Sequence, residues 1–375
     1  MEARFLEDKE YRSDMERQAM AVTLCFIYYM QNELGMSDWS VDNSQGYGGY
    51  FSNDWQNWQQ MPKEFAPILS LFPPFPYVRE SRRIVGVKTM TAKDVKYDPV
   101  LRRVLSSNHE SIALGEYPTD IHGLSNTDFL DKHLDKHPED IPADTAWKGR
   151  LFQIPIGALI PEKIDGLIAA EKNISVSRVV NGSTRLQPVT MLTGQAAGAI
   201  AAEAVKNGVE PRNVSTYAVQ WDLLSAGDKL SQMKFEDVPP ESPWWKGVEM
   251  VALYEFIAPA GESIFGVDTQ MCWVDVRDAF RRTFDTKDMP KREYLELVTG
   301  DGFNKWLNEY FGEEAKNYKK VIDIFSGDGI LTKGQLASAI AEIKYIQERS
   351  PKPVEKAVKS KKAQKKRAEK SGTAF

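Results

Sequence analysis

The sequence predicts an α/β chain that passes into a helical carboxy-terminal domain. Three observations carry this. Short strand-like runs (Arg83–Val87, Ser111–Leu114, Phe152–Ile160, Gly166–Ala170) alternate with stretches whose apolar residues recur every three or four positions. Past about residue 240 only the helical period continues. The 375 residues, 42% hydrophobic and 27% charged, have ordinary globular composition and enough length for two or three domains.

Asp8 to Leu34 reads as a helix. Asp8 can cap, Glu10 and Asp14 load the first turns, and Gly35 follows the end. Met15, Ala19, Val22, Phe26, Tyr29 and Met30 recur at helical steps. The apolar run Ala21–Met30 falls short of the roughly 20 residues a bilayer requires, so it predicts a buried helix and no membrane span. Residues 36–77 read as a long aromatic loop, with Trp39, Trp55, Trp58, the Gly/Tyr run Gly46–Tyr50 and a proline cluster at Pro73, Pro74 and Pro76. Residues 78–123 look like strands and short connections, and 124–150 like a polar surface excursion.

Residues 151–205 are the most regular. Phe152–Ile160 is strand-like, broken at Pro155 and Gly157. Gly166–Ala170 predicts a short buried strand, followed by a turn at Gly182. Residues 188–207 predict a strong helix, with Pro188 suited to its first turn and Gly208 to the position after its last. Gly194, Ala197, Gly198 and Ala201 give that helix a small-residue face for close approach. A boundary falls near 216–240. Helices then follow at Trp244–Phe256, Cys272–Phe284, 291–312, 313–324 and Ile330–Ile346, the halves 235–285 and 291–346 forming a weak internal repeat. The expected division is 1–220 (36–150 substrate-side, 151–208 strand and helix), 221–348 helical, and 349–375 a tail.

The net charge of −5 is unevenly spread. Residues 351–375 hold nine Lys/Arg against two acids, which leaves −12 on the rest. An acidic body with a short basic end argues against a nucleic-acid partner, and the tail lacks the apolar groups to form a core. Two cysteines, Cys25 and Cys272, build no disulfide framework and no metal cluster, and no metal site is expected. Met1–Arg17 has no basic region followed by an apolar stretch, so no secretory signal is predicted on this chain, and the compartment stays open.

Three clusters could carry chemistry. Tyr77–Gly86 places Arg79, Arg82 and Arg83 around Glu80 ahead of a β-branched strand. It reads either as an arginine fork for carboxylate or phosphate, or as a surface strand of alternating charge. Tyr117–Gly123 holds Asp120 and His122 two positions apart, on one face of an extended segment. They form either an acid/base pair or an ordinary structural histidine. His109, His133 and His137 lie in polar stretches and read as solvent-facing. The third cluster runs Leu159–Ser175, then Asn181–Pro188 and Thr193–Gly198. There an apolar run ends in polar residues, and a helix begins whose first turn has free N–H groups that attract negative charge.

The three clusters together, in this order over residues 10–225, resemble the carboxy-terminal part of the FAD-dependent oxidoreductases. That family has a strand ending in Ala-Gly-Arg or Ala-Glu-Lys, an Arg-x-x-Pro helix start and Gly-Gln-Ala-Ala-Gly. The matching residues here are Ala170-Glu171-Lys172, Arg185–Pro188 and Gly194–Gly198. The resemblance implies a partial FAD-binding, Rossmann-like oxidoreductase domain with a substrate region. It places Glu171, Lys172, Asn173 and Ser175 at the ribityl and pyrophosphate part of FAD. It places the backbone N–H groups of Arg185, Leu186 and Gln187 at the N1/C2=O edge of the flavin. Gly194 and Gly198 would let the helix pack on the strand. Arg79, Arg82 and His122 become the substrate-side, catalytic candidates. Glu171 stands where some members have Gly; a carboxylate there accepts from ribityl hydroxyls but repels pyrophosphate.

A complete member also carries a strand, Gly-x-Gly-x-x-Gly and a helix for the FAD pyrophosphate. This chain has no such motif, and Gln45–Tyr50 has the wrong spacing. The resemblance therefore implies a fragment, one chain of a split enzyme or a degenerate paralogue, with weak or no FAD binding by this chain alone. The expected partners are a small-molecule substrate and a chain supplying the ADP-binding half. The expected reaction is hydride transfer from a small organic substrate to flavin. The tryptophans and tyrosines of 39–58 suit a sugar ring or plain loop packing equally. The alternative is a non-catalytic binding or assembly protein. Phe235–Pro239, Trp244–Ile257 and Gly329–Leu336 loosely resemble an S-layer-homology-like helical repeat.

Overall fold

The computed structural model describes residues 4–42, 62–72, 80, 82–98, 103–104, 109–118, 151–284, 289–325 and 327–349. The chain divides into two compact units, residues 1–81 and 82–375.

In the first unit, α1 (Arg4–Glu7) leads into α2 (Lys9–Asn32), and α3 (Ala66–Leu69) follows a 3₁₀ turn at Lys63–Phe65. Asp8 starts α2 as its composition demands: extended itself, it accepts a hydrogen bond from the Tyr11 N–H at 3.0 Å. Gly35, at φ 68°, reverses the chain beyond it. The expected burial of α2 is not found, since none of its residues is buried and Val22, Phe26 and Tyr29 are exposed. The other described elements of this unit are one turn each, too small to cover 24 residues. No helix among the described residues is long and apolar enough to cross a membrane.

The second unit begins with two small antiparallel ladders. Tyr97–Asp98 (β1) pairs with Arg103–Val104 (β2), and Ser111–Glu116 (β3) with Leu151–Pro155 (β4). Leu114 lies opposite Gln153 and Gly115 opposite Phe152. Pro155, which lacks an N–H, ends β4, and a 3₁₀ turn at Ile156–Ala158 follows. Three helices come next: α4 (Arg178–Thr184), α5 (Gln187–Asn207) and α6 (Thr216–Ser225). Pro188 lies in the first turn of α5, and Gly208 closes it at φ 62°. Gly182 lies inside α4, which Ser177 caps, so the predicted turn there is a helix.

The remainder is helical: α7 (Trp245–Leu253), α8 (Trp273–Thr283), α9 (Gly300–Phe311), α10 (Lys319–Ile324) and α11 (Lys333–Arg349). Residues 291–299, expected to be helical, are an irregular approach to α9 that turns at Tyr294–Glu296 and makes single bridges at Leu297 and Thr299. The repeat is threefold. Met271, Val298 and Leu331 each stand two residues before a helix, and their backbones close a ring. The Met271 N–H donates to Leu331 O (2.9 Å), Leu331 to Val298 O (2.7 Å) and Val298 to Met271 O (2.9 Å). One bond per residue leaves no ladder, and all three side chains are buried. Phe280 is fully buried among Phe284, Phe303, Trp306, Tyr310 and Phe311, its ring 4.8 Å from that of Trp306. The core runs without interruption past the boundary expected near 220. There Tyr217 donates to Ala341 O at 3.0 Å and Trp221 stacks on Tyr345 at 4.9 Å.

Candidate functional site

The segment 84–90 is extended because its residues alternate in exposure, Val85 and Val87 outward and Gly86 and Met90 inward. It runs between two other stretches of the chain. On one side, the Glu162 N–H donates to Val85 O (2.9 Å), Val87 to Ile160 O (2.8 Å) and Lys88 to Gly157 O (3.0 Å). On the other, Ile84 donates to Asn173 O (2.9 Å), Met90 to Ser175 O (3.0 Å) and Ser177 to Met90 O (2.8 Å). Gly86 makes the crossing possible, since a Cβ there would lie 2.7 Å from both Gly157 O and Ser175 Cβ. The first and third sequence clusters therefore meet in space. Arg82 stands two residues before Ile84, which is bonded to Asn173.

Beyond this crossing, α4 and α5 are joined at Arg185 and Leu186. Leu186 is extended and Pro188 has no N–H, so the Gln187 and Val189 N–H groups in the first turn of α5 have no intrahelical acceptor. Over 21 residues the peptide dipoles add partial positive charge at this end. One turn further on, α5 rests on Gly166–Ala170. Thr193 Oγ1 lies 3.4 Å from Ala170 O and donates more closely to Thr190 O, at 2.9 Å. A Cβ on Gly194 would be 3.7 Å from Ala170 O. That is ordinary van der Waals contact, so the expected need for glycine at Gly194 is not found, and Gly198 faces open space while Ala201 is exposed.

The segment Gly166–Ala170 itself corrects an expectation. Gly166 turns the chain at φ 72° and residues 167–170 join no ladder; Leu167 is exposed, while Ala169 is buried and Ile168 packs on the core. Its backbone is tied to the crossing by the Ala169 N–H, which donates to Leu159 O at 2.8 Å.

The individual candidates fall as follows. Ser175 is buried at the crossing, its hydroxyl 2.7 Å from that of Thr89. Glu171 and Asn173 are exposed and Lys172 is half-buried, on the bend between Ala170 and Ser175. Arg185 is buried, and its N–H is spent on Asn181 O at 3.1 Å, so the donors without an intrahelical acceptor are those of exposed Gln187 and buried Val189. Leu186 is half-buried and Gln187 exposed. Arg82 is exposed. Arg79 and His122, with Asp120, lie outside the described residues, as do His133 and His137. His109 is exposed as expected, yet its Nδ1 lies 2.9 Å from Leu253 O and its ring stacks on Tyr254. Sequence reasoning missed Thr89 and Val189, and it placed Thr193 in the third cluster without its contact to Ala170.

At the far end of α5, Glu203 is buried. Burial opposes its charge, but Lys206 Nζ at 2.6 Å and Asn207 Nδ2 at 3.1 Å hold its carboxyl below the usual range. Its neighbour Asp222 is pushed up, chiefly by burial. Charge at this end of the helix is thus internally compensated, in contrast to the open first turn.

A family model described as FAD dependent oxidoreductase matches residues 4–223. No curated protein and no solved structure matches the chain.

Proposed function

The chain belongs to the FAD-dependent oxidoreductase family, and from that premise we propose that it is such an enzyme, or its substrate-side portion, acting on a small organic substrate of polyol or sugar type. The observation that carries this reading is the open first turn of α5, set one turn before the contact of Thr193 and Gly194 with Ala170. When bound, FAD supplies a two-electron acceptor for hydride.

The residues present fit one end of that cofactor. Gln187 and Val189 offer N–H groups, and the α5 dipole favours negative charge, which suits the electron-rich edge of the flavin ring. Lys172, Asn173 and Glu171, on the bend after Ala170, would serve the ribityl side. Ser175 would orient this bend rather than contact the cofactor, because its hydroxyl is engaged by Thr89. Arg82, together with Arg79 and His122, would bind and orient substrate. The pyrophosphate end finds no glycine-rich strand, turn and helix in this sequence. A polypeptide carrying Gly-x-Gly-x-x-Gly would complete the site. Residues 221–348 would form the S-layer-homology-like module, a reading supported by the threefold ring at Met271, Val298 and Leu331.

The second reading, a non-catalytic binding or assembly protein, draws on the same engaged Ser175 and on the missing glycine motif. Flavin titration discriminates. The purified chain alone should show no stoichiometric flavin band. Mixed with an ADP-binding polypeptide that carries the glycine motif, it should acquire one. A yellow, stoichiometric chain would remove the need for a partner. Absence of flavin under both conditions would leave the non-catalytic reading.

A further inference from the structure

We propose that the cavity between the 229–240 linker and the start of α7 binds a small, uncharged ring compound carrying a carbonyl or similar hydrogen-bond acceptor. The site lies beyond the residues that the family model matches and does not depend on the flavin reading. Trp245, Val248 and Glu249 stand three and four positions apart, so they share one face of α7. Phe235 and Val238 line the same cavity, which is partly open and has a volume of about 250 Å³. Pro239 and Pro240, both exposed, line it too, where the chain is stiff and has no N–H to offer. A cavity of about 150 Å³ accepts a benzene ring. The larger space here suits a ring with one polar substituent.

The polar groups lining the cavity select the chemistry of the ligand. The Glu249 carboxylate is engaged. One oxygen meets the Lys229 ammonium, the other accepts the Ser231 N–H at 3.1 Å, and the Leu230 N–H also bears on it. The Lys229 ammonium is not spent. It carries three N–H donors and its side chain is about one-third exposed. Among the described residues it meets Glu249 alone. Lys234 and Glu236, exposed on the linker, offset one another in charge. A ligand anion would make one ammonium serve two carboxylates, where burial already pushes the Glu249 carboxyl up. A neutral carbonyl takes the remaining Lys229 donors without adding charge, and its ring takes the apolar walls of Phe235, Val238, Trp245 and Val248.

The test titrates the full chain, labelled at its valine methyl groups, with three probes of one ring size at about pH 7. Benzamide is the neutral ring with an acceptor, benzoate its anionic counterpart and toluene the ring alone. Val238 and Val248, assigned through Val238→Ile and Val248→Ile, report occupancy by their methyl shifts. Benzamide should move both resonances and bind about tenfold tighter than toluene or benzoate, the worth of one hydrogen bond to a charged donor. The double variant Lys229→Met/Glu249→Gln removes the ammonium and its counter-charge together. In it, benzamide and toluene should bind alike. Three results would each overturn the proposal: no probe shifting the Val238 and Val248 methyls, benzoate binding tightest to the parent chain, or the preference for benzamide over toluene surviving in the double variant. The ranking on the parent chain decides the ligand class even if the double variant does not fold.

Discussion

Lys229→Met should destabilise the second unit by about 3 kcal/mol near neutral pH, and the loss should shrink on acidification. Glu249 lies buried on α7. One carboxylate oxygen is paired with the Lys229 ammonium and the other accepts the Ser231 N–H at 3.1 Å. Burial pushes the Glu249 carboxyl above its ordinary value, and Lys229 pulls back against that shift. A carboxyl raised in the folded state contributes stability that is fully present below its unfolded value and is lost as pH rises through the folded value. Removing Lys229 raises the folded value further and deepens that loss. Breaking one partner of a buried pair costs about 3–5 kcal/mol, and Lys229 is itself about one-third exposed, which argues for the lower end. Methionine keeps the apolar stem, so the charge is what changes. Urea unfolding followed by near-ultraviolet dichroism, at about pH 7 and about pH 4.5, reads the difference. The double variant Lys229→Met/Glu249→Gln should recover most of the stability at neutral pH. An equal deficit at both pH values, with no recovery in the double variant, would refute the electrostatic account and leave lost packing as the cause.

Gly247→Ala should cost about 1–3 kcal/mol in thermal unfolding, because a Cβ there would stand 2.6 Å from Ser338 Cα where α7 crosses α11. Asp237→Asn should cost about 2 kcal/mol at neutral pH. Burial opposes the Asp237 charge, but the Phe265, Gly266 and Val267 N–H groups hold its carboxyl below the ordinary value of 3.8. That contribution is present above the unfolded value and lost as pH falls through the folded one, so acid titration should close the gap between variant and parent. Val298→Pro removes one donor from the backbone ring and should destabilise α8, α9 and α11 together by about 3 kcal/mol, seen as one cooperative transition at lower temperature. Separate melting of α9 alone would mean that the ring does not couple the three helices.

What could be read from the residues, and what could not, follows from how far each signal reaches along the chain. Asp8, Pro188 and Gly208 act on their own backbone within one turn, and the boundaries of α2 and α5 followed from them. Pro155 likewise ended β4 where an N–H was lacking. The ring at Met271, Val298 and Leu331 left almost no trace. Each member contributes a single buried apolar residue before a helix, so the sequence shows two similar halves while the threefold relation is held by backbone bonds that any residue but proline can make. The site divides in the same way. The family motifs located the start of α5, yet Gly86 shows its role only where 84–90 crosses Gly157 and Ser175, an approach between residues 71 and 89 positions apart. Gly166–Ala170 is the instructive failure. Its apolar run predicts a buried strand, yet Gly166 turns the chain at φ 72°, Ala169 is buried, Ile168 packs on the core and Leu167 faces solvent, a split set by the approach of α5 and of Leu159 and not by the five residues themselves.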